Sequence, residues 1–343
     1  MENREFYNER EILESVNLCD CNGNIQDESI GWSRNPVFNC NITGNWLRKK
    51  KWNYWCITND ECLFSVTISN IDYVGMAFVY FLDFKTQKFI EKTIISPFGR
   101  GYSMPEKVQE TVTFRHPKMG LYFIEEDNVT QIVAKCINFM GELMEANFKV
   151  IYPEGHETLN VAIPLSKRSF QFTSKHECLP VDGELRVGEK VYTFSPHNTF
   201  ASLDFGRGIW PYKVRWNRAN ASGIINGRAI GINLGAKWTD GSGMTENCII
   251  VDGKITKISE DIIFEYDSND FMKPWNVKTS ITKRINLKFV PFYERIAKSN
   301  VIILKSEVHQ MVGHFSGSIE TDTGECLLID SIIGSSQEHF GQW

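Results

Sequence analysis

The chain is 343 residues long, more than one compact core usually organises, so two domains are expected. With 42% hydrophobic and 23% charged residues it is not a disordered sequence, and a net charge of −5 supplies no overall field toward nucleic acid or an anionic membrane. The aromatic share, 13%, is high, and aromatic residues both favour strands and line sites for apolar ligands.

From the N-terminus, Met1 to Ser15 is polar and acidic and lacks the apolar core of an export signal, while Tyr7 to Ser15 predicts one short helix. The nine cysteines are scattered and odd in number, without a CxxC pair, and Cys19-Asp20-Cys21 has the wrong spacing for zinc. That usage points to a reducing, cytoplasmic setting and to no metal. The basic run Arg48 to Lys51, followed by Trp52, Tyr54 and Trp55, has the composition of a phosphate or single-strand site. It reads more simply as a solvated turn before a strand, so no nucleic-acid partner is expected. Cys62 to Ile68 and Gly75 to Leu82 read as strands, and the apolar stretch Val74 to Leu82 is too short to span a bilayer. Phe89 to Ile95 is a weaker strand pattern, Asn128 to Met144 is ambiguous between helix and strand, and Phe148, Val150 and Tyr152 alternate cleanly.

A seam between Cys178 and Glu189 divides the chain into expected domains 1–180 and 181–343. Beyond it, Phe200 to Phe205, Arg228 to Leu234, Asn247 to Val251, Asn286 to Val290 and Asn300 to Leu304 read as strands. Asp182-Gly183, Asn226-Gly227 and Asp252-Gly253 supply hairpin turns. Many short strands without a βαβ rhythm predict an all-β protein with few short helices.

Chemistry-bearing residues concentrate in three blocks. In Leu203 to Trp216, Asp204 is either paired with Arg207 or set against Trp210 in an apolar pocket, where burial would raise its pKa. Trp210, Tyr212 and Trp216 are candidate ligand contacts. In Gly231 to Asn247, alternation places Leu234, Trp238 and Asp240 on one face and Asn233, Lys237 and Thr239 on the other. The turn Asp240 to Gly243 then brings Glu246 back toward Asp240, so two carboxylates would share one mouth. In Ser306 to His314, Glu307 and His309 stand two residues apart on one strand face, as a base with its relay or as a satisfied polar pair. No dinucleotide fingerprint, P-loop or nucleophile elbow is present.

The segments Gly31-Trp-Ser-Arg-Asn-Pro36, Lys51-Trp-Asn-Tyr-Trp55, Leu203-Asp-Phe-Gly-Arg-Gly-Ile-Trp-Pro-Tyr212, Lys237-Trp-Thr-Asp-Gly241 and Ser306-Glu-Val-His-Gln310 resemble a bacterial domain-of-unknown-function family. More distantly, the chain is similar to the tandem lipocalin-like group that includes carotenoid 1,2-hydratase. That resemblance implies two antiparallel β-barrels packed in tandem with an apolar ligand site in or between them. The expected activity is acid-assisted hydration, isomerisation or cyclisation of an isoprenoid or lipid-like molecule, without a cofactor. Asp204, Asp240 or Glu246 would donate the proton, with Glu307 and His309 as further candidates. The indoles would stabilise positive charge, and Arg207 or Lys237 would hold a polar head group. A non-catalytic lipid or pigment carrier and a carbohydrate-active protein are the alternatives.

Overall fold

The computed structural model describes residues 6–301 and 304–342, so the expected strand Asn300 to Leu304 and the first residues of the N-terminal segment lie partly outside the described residues. The expected all-β class is what the chain adopts. Among the described residues, apart from one short 3₁₀ turn, Asp27–Ser29, the regular elements are strands; Val16–Asn17 and Phe38–Asn39 form a small parallel pair, and the rest form two large antiparallel sheets curled into half-barrels. Among the described residues, no helix is long and apolar enough to cross a membrane.

Among the described residues, the first sheet has fourteen strands. Its centre runs Phe89–Pro97, Val74–Asp83, Cys62–Asn70, Lys49–Thr58, Phe200–Ile209 and Ser169–Val187. From there it continues through Glu142–Ile151 and Val129–Phe139, so the stretch Asn128 to Met144, ambiguous in sequence, forms strands. Phe64 meets Phe148 at 5.5 Å and Phe81 meets Tyr192 at 4.7 Å between ring centres, so the sheet curls over its own core. The second sheet has nine strands among the described residues, with Arg228–Ala236, Lys213–Ile225, Cys326–Gln342 and Leu304–Glu320 at its centre. Its core gathers around Trp275, Phe289 and Phe315. The long strand Ser169–Val187 runs through the expected junction at residue 180. The chain passes from one sheet to the other between Ile209 and Lys213.

Alternation decides which side chains meet between the sheets. In Phe200–Ile209, Ala201, Leu203 and Phe205 enter the first core, leaving Ser202 and Asp204 for the facing sheet. In Lys213–Ile225, Ala219 and Ala221 enter the second core, leaving Arg218, Asn220 and Ser222 for the first. Two apolar clusters bracket this polar strip. On one flank Cys56, Leu63, Tyr80 and Leu82 pack with Val312, and on the other Trp32, Val161 and Ile163 pack with Cys248 and Ile250.

The helix expected over Tyr7 to Ser15 does not form. Its backbone is claimed by both halves: Tyr7 N donates to Ser259 O at 2.9 Å and Ile12 N to Trp32 O at 2.7 Å. Glu9 is fixed further by its carboxylate, which accepts from Thr245 N at 2.6 Å and pairs with the buried Lys257 Nζ at 2.5 Å. The N-terminal segment is therefore an extended strap across the two sheets.

Candidate functional site

Between the sheets, five ionisable side chains are packed together in the polar strip. Asp204 Oδ1 accepts from Lys175 Nζ at 2.8 Å and Trp52 Nε1 at 3.1 Å, and its Oδ2 accepts from Arg218 Nη1 at 2.7 Å. Lys175 also pairs with Glu246 Oε2 at 3.0 Å, and Trp238 Nε1 donates to Glu246 Oε1 at 2.8 Å. Asn233 braces the group, accepting from Arg218 Nε at 3.1 Å and donating to the Glu246 carbonyl at 2.7 Å. Two cations thus face two carboxylates, and Glu177 is the fifth member, 3.6 Å from Arg218.

Glu177 and Asp204 are driven apart by their surroundings. Burial would raise the Asp204 carboxyl, but Arg218 and Lys175 overcome it and hold the group at about 2, so Asp204 stays ionised. Glu177 is fully buried, and burial, only partly opposed by Arg218, pushes its carboxyl up to about 8. At neutral pH it keeps its proton. Its Oε2 contacts Ser222 Oγ at 3.2 Å, and Ser222 accepts from Cys178 N at 2.8 Å. A bulge between His176 and Leu179, with Cys178 at φ 58°, re-aims this stretch of the strand. Ser222 also lines a cleft of about 130 Å³ together with Thr58, His197, Phe200, Ile224 and Ile332.

Glycines make room for these groups. A Cβ on Gly235 would lie 2.3 Å from Glu246 Oε1, one on Gly231 2.7 Å from Glu177 Cβ, and one on Gly206 2.1 Å from the Trp52 ring. The strand Arg228–Ala236 is therefore notched where the acids sit. On the opposite side from Ser222, indoles close the cluster: Trp210 packs against Trp52 at 5.1 Å, Trp216 at 5.3 Å and Trp238 at 6.2 Å.

Of the residues singled out in sequence, Asp204, Glu246, Asn233, Trp210, Trp216 and Trp238 converge here. Arg207 does not. It falls on the core face of its strand, donates to the carbonyls of Pro105, Trp52 and Gly206 and to Asn53 Oδ1, and does not pair with Asp204. Asp240 is an exposed turn residue that accepts from Lys237 N at 2.7 Å, whereas Glu246 is buried, so the two do not share a mouth. The expected alternation past Ala236 fails because Lys237 takes a left-handed φ of 76°, which shifts the phase. Trp238 thereby turns to Glu246, while Lys237 Nζ reaches Tyr266 Oη at 2.7 Å and Glu338 at 2.8 Å, at the end of the second barrel. Tyr212 is half-exposed and accepts from Gln342 at 2.9 Å. His309 is held between Glu294 at 2.7 Å and Glu307 at 3.0 Å and lies against Phe271, apart from the ion cluster.

Lys175, Glu177 and Arg218 were not singled out from the sequence. The one local signal, for Lys175 and Glu177 alone, is Lys175-His-Glu177, three ionisable residues in a row between Phe170-Gln-Phe172 and Leu179. Among the described residues, no group of three or more His, Cys, Asp or Glu is placed to hold a metal.

A family model described as a domain of unknown function, DUF2804, matches residues 9–343. The chain belongs to the DUF2804 family. A search of the curated proteins returns no match for this DUF2804 chain. Among solved structures it is similar to NE1406 of Nitrosomonas europaea, with 11% identity, a TM-score of 0.48, and 85% of this chain and 92% of that one covered. It is also similar to kievitone hydratase from Nectria haematococca, at 9% identity and a TM-score of 0.46, covering 85% and 88%. For CghA the identity is 10% and the TM-score 0.42, with 86% and 88% covered. All three TM-scores lie below 0.5, and no role is transferred from these proteins to the DUF2804 chain.

Proposed function

We propose that the ion cluster between the two sheets is an acid–base site, with Glu177 donating a proton to a hydrophobic, unsaturated small molecule. The observation that carries this reading is a fully buried carboxyl, pushed up to about 8, in contact with Ser222 on the wall of a cleft. A carboxylic acid that keeps its proton at neutral pH beside fixed ions is suited to general acid work.

The Glu177 proton, relayed through Ser222 Oγ, would add to one carbon of a double bond and leave a cation on the other. Water capturing that cation and returning a proton to the Glu177 carboxylate completes a hydration. Loss of a neighbouring C–H proton to the same carboxylate completes an isomerisation instead. Arg218, 3.6 Å away, stabilises the transient carboxylate. Asp204 and Glu246 hold the two cations in place rather than donating protons. On the wall of the cleft, Phe200, Ile224 and Ile332 would face the apolar part of such a molecule, beside the polar Asn59, Asp60 and Asn198.

Mass spectrometry of ligand copurified with the chain supplies the compound class, and turnover of that class by Glu177→Gln tests the acid. The amide variant is expected to retain the ligand and to lose turnover by about a hundredfold or more. Normal turnover by Glu177→Gln would overturn the mechanism. A ligand recovered unchanged, with no product from the unaltered chain, would favour a carrier.

A further inference from the structure

The first sheet gathers several chain segments at one rim. Lys49 pairs with Ile209, Lys51 with Asn70, and Val74 with Pro97, so the segments just beyond these residues meet at that end. Four large apolar side chains stand in solvent there. Trp46 is 72% exposed, Phe98 64%, Tyr212 50% and Leu47 37%. Leu47 and Phe98 take left-handed φ values of 69° and 53°, uncommon for such side chains, so two of the four occupy turns that favour smaller residues.

The same segments carry Arg48, Arg100 and Lys213, all exposed. Arg48 is tied to the rim by donating to Trp210 O at 2.9 Å. The acids nearby are Asp72, paired with Lys49, and the exposed Glu106, which faces Lys51. Lys50 is buried over the Tyr73 ring and adds little to the outward field. The exposed charge of the rim is therefore positive on a chain whose net charge is −5.

We infer that this rim docks on the surface of an anionic lipid bilayer. Tryptophan and tyrosine suit the headgroup level, leucine and phenylalanine enter the acyl boundary, and arginine and lysine meet lipid phosphates. The remainder of the chain, being acidic, is repelled by such a surface, so charge selects this rim as the contact. A second copy of the chain is a poorer occupant, because its matching rim carries the same positive charge. Docked in this way, the protein sets the indole side of its inter-sheet cluster near the bilayer, since Trp210 links rim and cluster.

Flotation of the full chain with phosphatidylcholine vesicles, with and without about 30% phosphatidylserine, tests the inference. Binding is expected only to the anionic vesicles, with loss in about 0.5 M salt. The double variant Trp46→Ser, Phe98→Ser should weaken binding by about tenfold or more. Arg48→Gln, Arg100→Gln and Lys213→Gln combined should weaken it similarly and flatten its salt dependence. Leu328→Ser, at a side chain 72% exposed on the second sheet, should leave it unchanged. Absence of flotation, equal binding to both vesicles, or an equal loss with Leu328→Ser would overturn the inference. So would binding to single-stranded RNA, sensitive to the same rim variants, in place of vesicle binding. The salt titration needs no variant and stands even where a substitution impairs folding.

Discussion

Replacing Glu177 by glutamine keeps the shape of a buried side chain and removes its titration. The folded chain holds the Glu177 proton up to about pH 8, whereas an exposed glutamate releases it near 4.5. Between those values the folded state binds more protons than the unfolded state, so this group withdraws stability as pH rises. The stability is fully present below about pH 4.5 and is lost on passing toward pH 8. Each pH unit is worth about 1.4 kcal/mol, giving a ceiling of about 4 kcal/mol between about pH 5 and pH 8. Other groups also make stability depend on pH in this range: burial pushes Glu125 up to about 7, and it pushes His176 and His339 down to about 3, so they take up protons near 6.5 only on unfolding. Subtracting the variant's pH profile from that of the unaltered chain cancels them. Urea unfolding at several pH values should therefore show Glu177→Gln gaining on the unaltered chain steadily from pH 5 to 8. A difference that does not change with pH would mean that Glu177 is ionised where it lies, and the acid assignment would fall with it.

Lys175→Met should destabilise the chain by about 3–5 kcal/mol, because Asp204 and Glu246 then share no cation in a buried site; a thermal melt reads this directly. Gly235→Ala forces a methyl within 2.3 Å of Glu246 Oε1 and should cost about 1–3 kcal/mol, with quenching or shift of the Trp238 fluorescence as a local readout. Asp204, held at about 2, contributes stability that is present above about pH 3.8 and lost as pH falls through 2, so Asp204→Asn should flatten the acid limb of the unfolding curve while lowering stability at neutral pH. Glu9→Ala leaves Lys257 as a buried cation without its carboxylate, and limited proteolysis should then cut the N-terminal strap faster while the sheets stay protected.

The all-β architecture was legible because short apolar strands and turn dipeptides are local signals. Part of the site was legible for the same reason: Asp204, Trp210 and Trp238 stand out by composition within a few residues. Lys175 and Arg218 were not, since they join the cluster only through contacts that the fold makes. Lys175, on a strand of the first sheet, meets Glu246 in the loop that leads into Cys248–Val251 of the second, and nothing near either residue announces the other. The seam read at Cys178 to Glu189 falls within a single long strand, Ser169–Val187, which also carries Lys175 and Glu177. The misplacement of Lys237 came from extending strict alternation through a residue whose left-handed backbone breaks it. Arg207 shows the converse limit. It was expected to pair with Asp204 or to hold a polar head group, but the side chain spends most of its donors on the backbone of its own barrel.

The strap over Tyr7 to Ile12 also has a bearing on how the protein is made. Its partners lie at Trp32 on one side and at Thr245, Lys257 and Ser259 on the other. During synthesis, the glutamate at position 9 must wait for more than two hundred residues to follow it before its lysine exists. Until then, the first sheet can assemble around its own core while the leading segment trails as an open end. Closure of that end is thus a late, long-range event, with the high contact-order cost that slows β proteins. A nascent chain halted before residue 245 should leave the strap accessible to protease, and release of the remaining third should seal it.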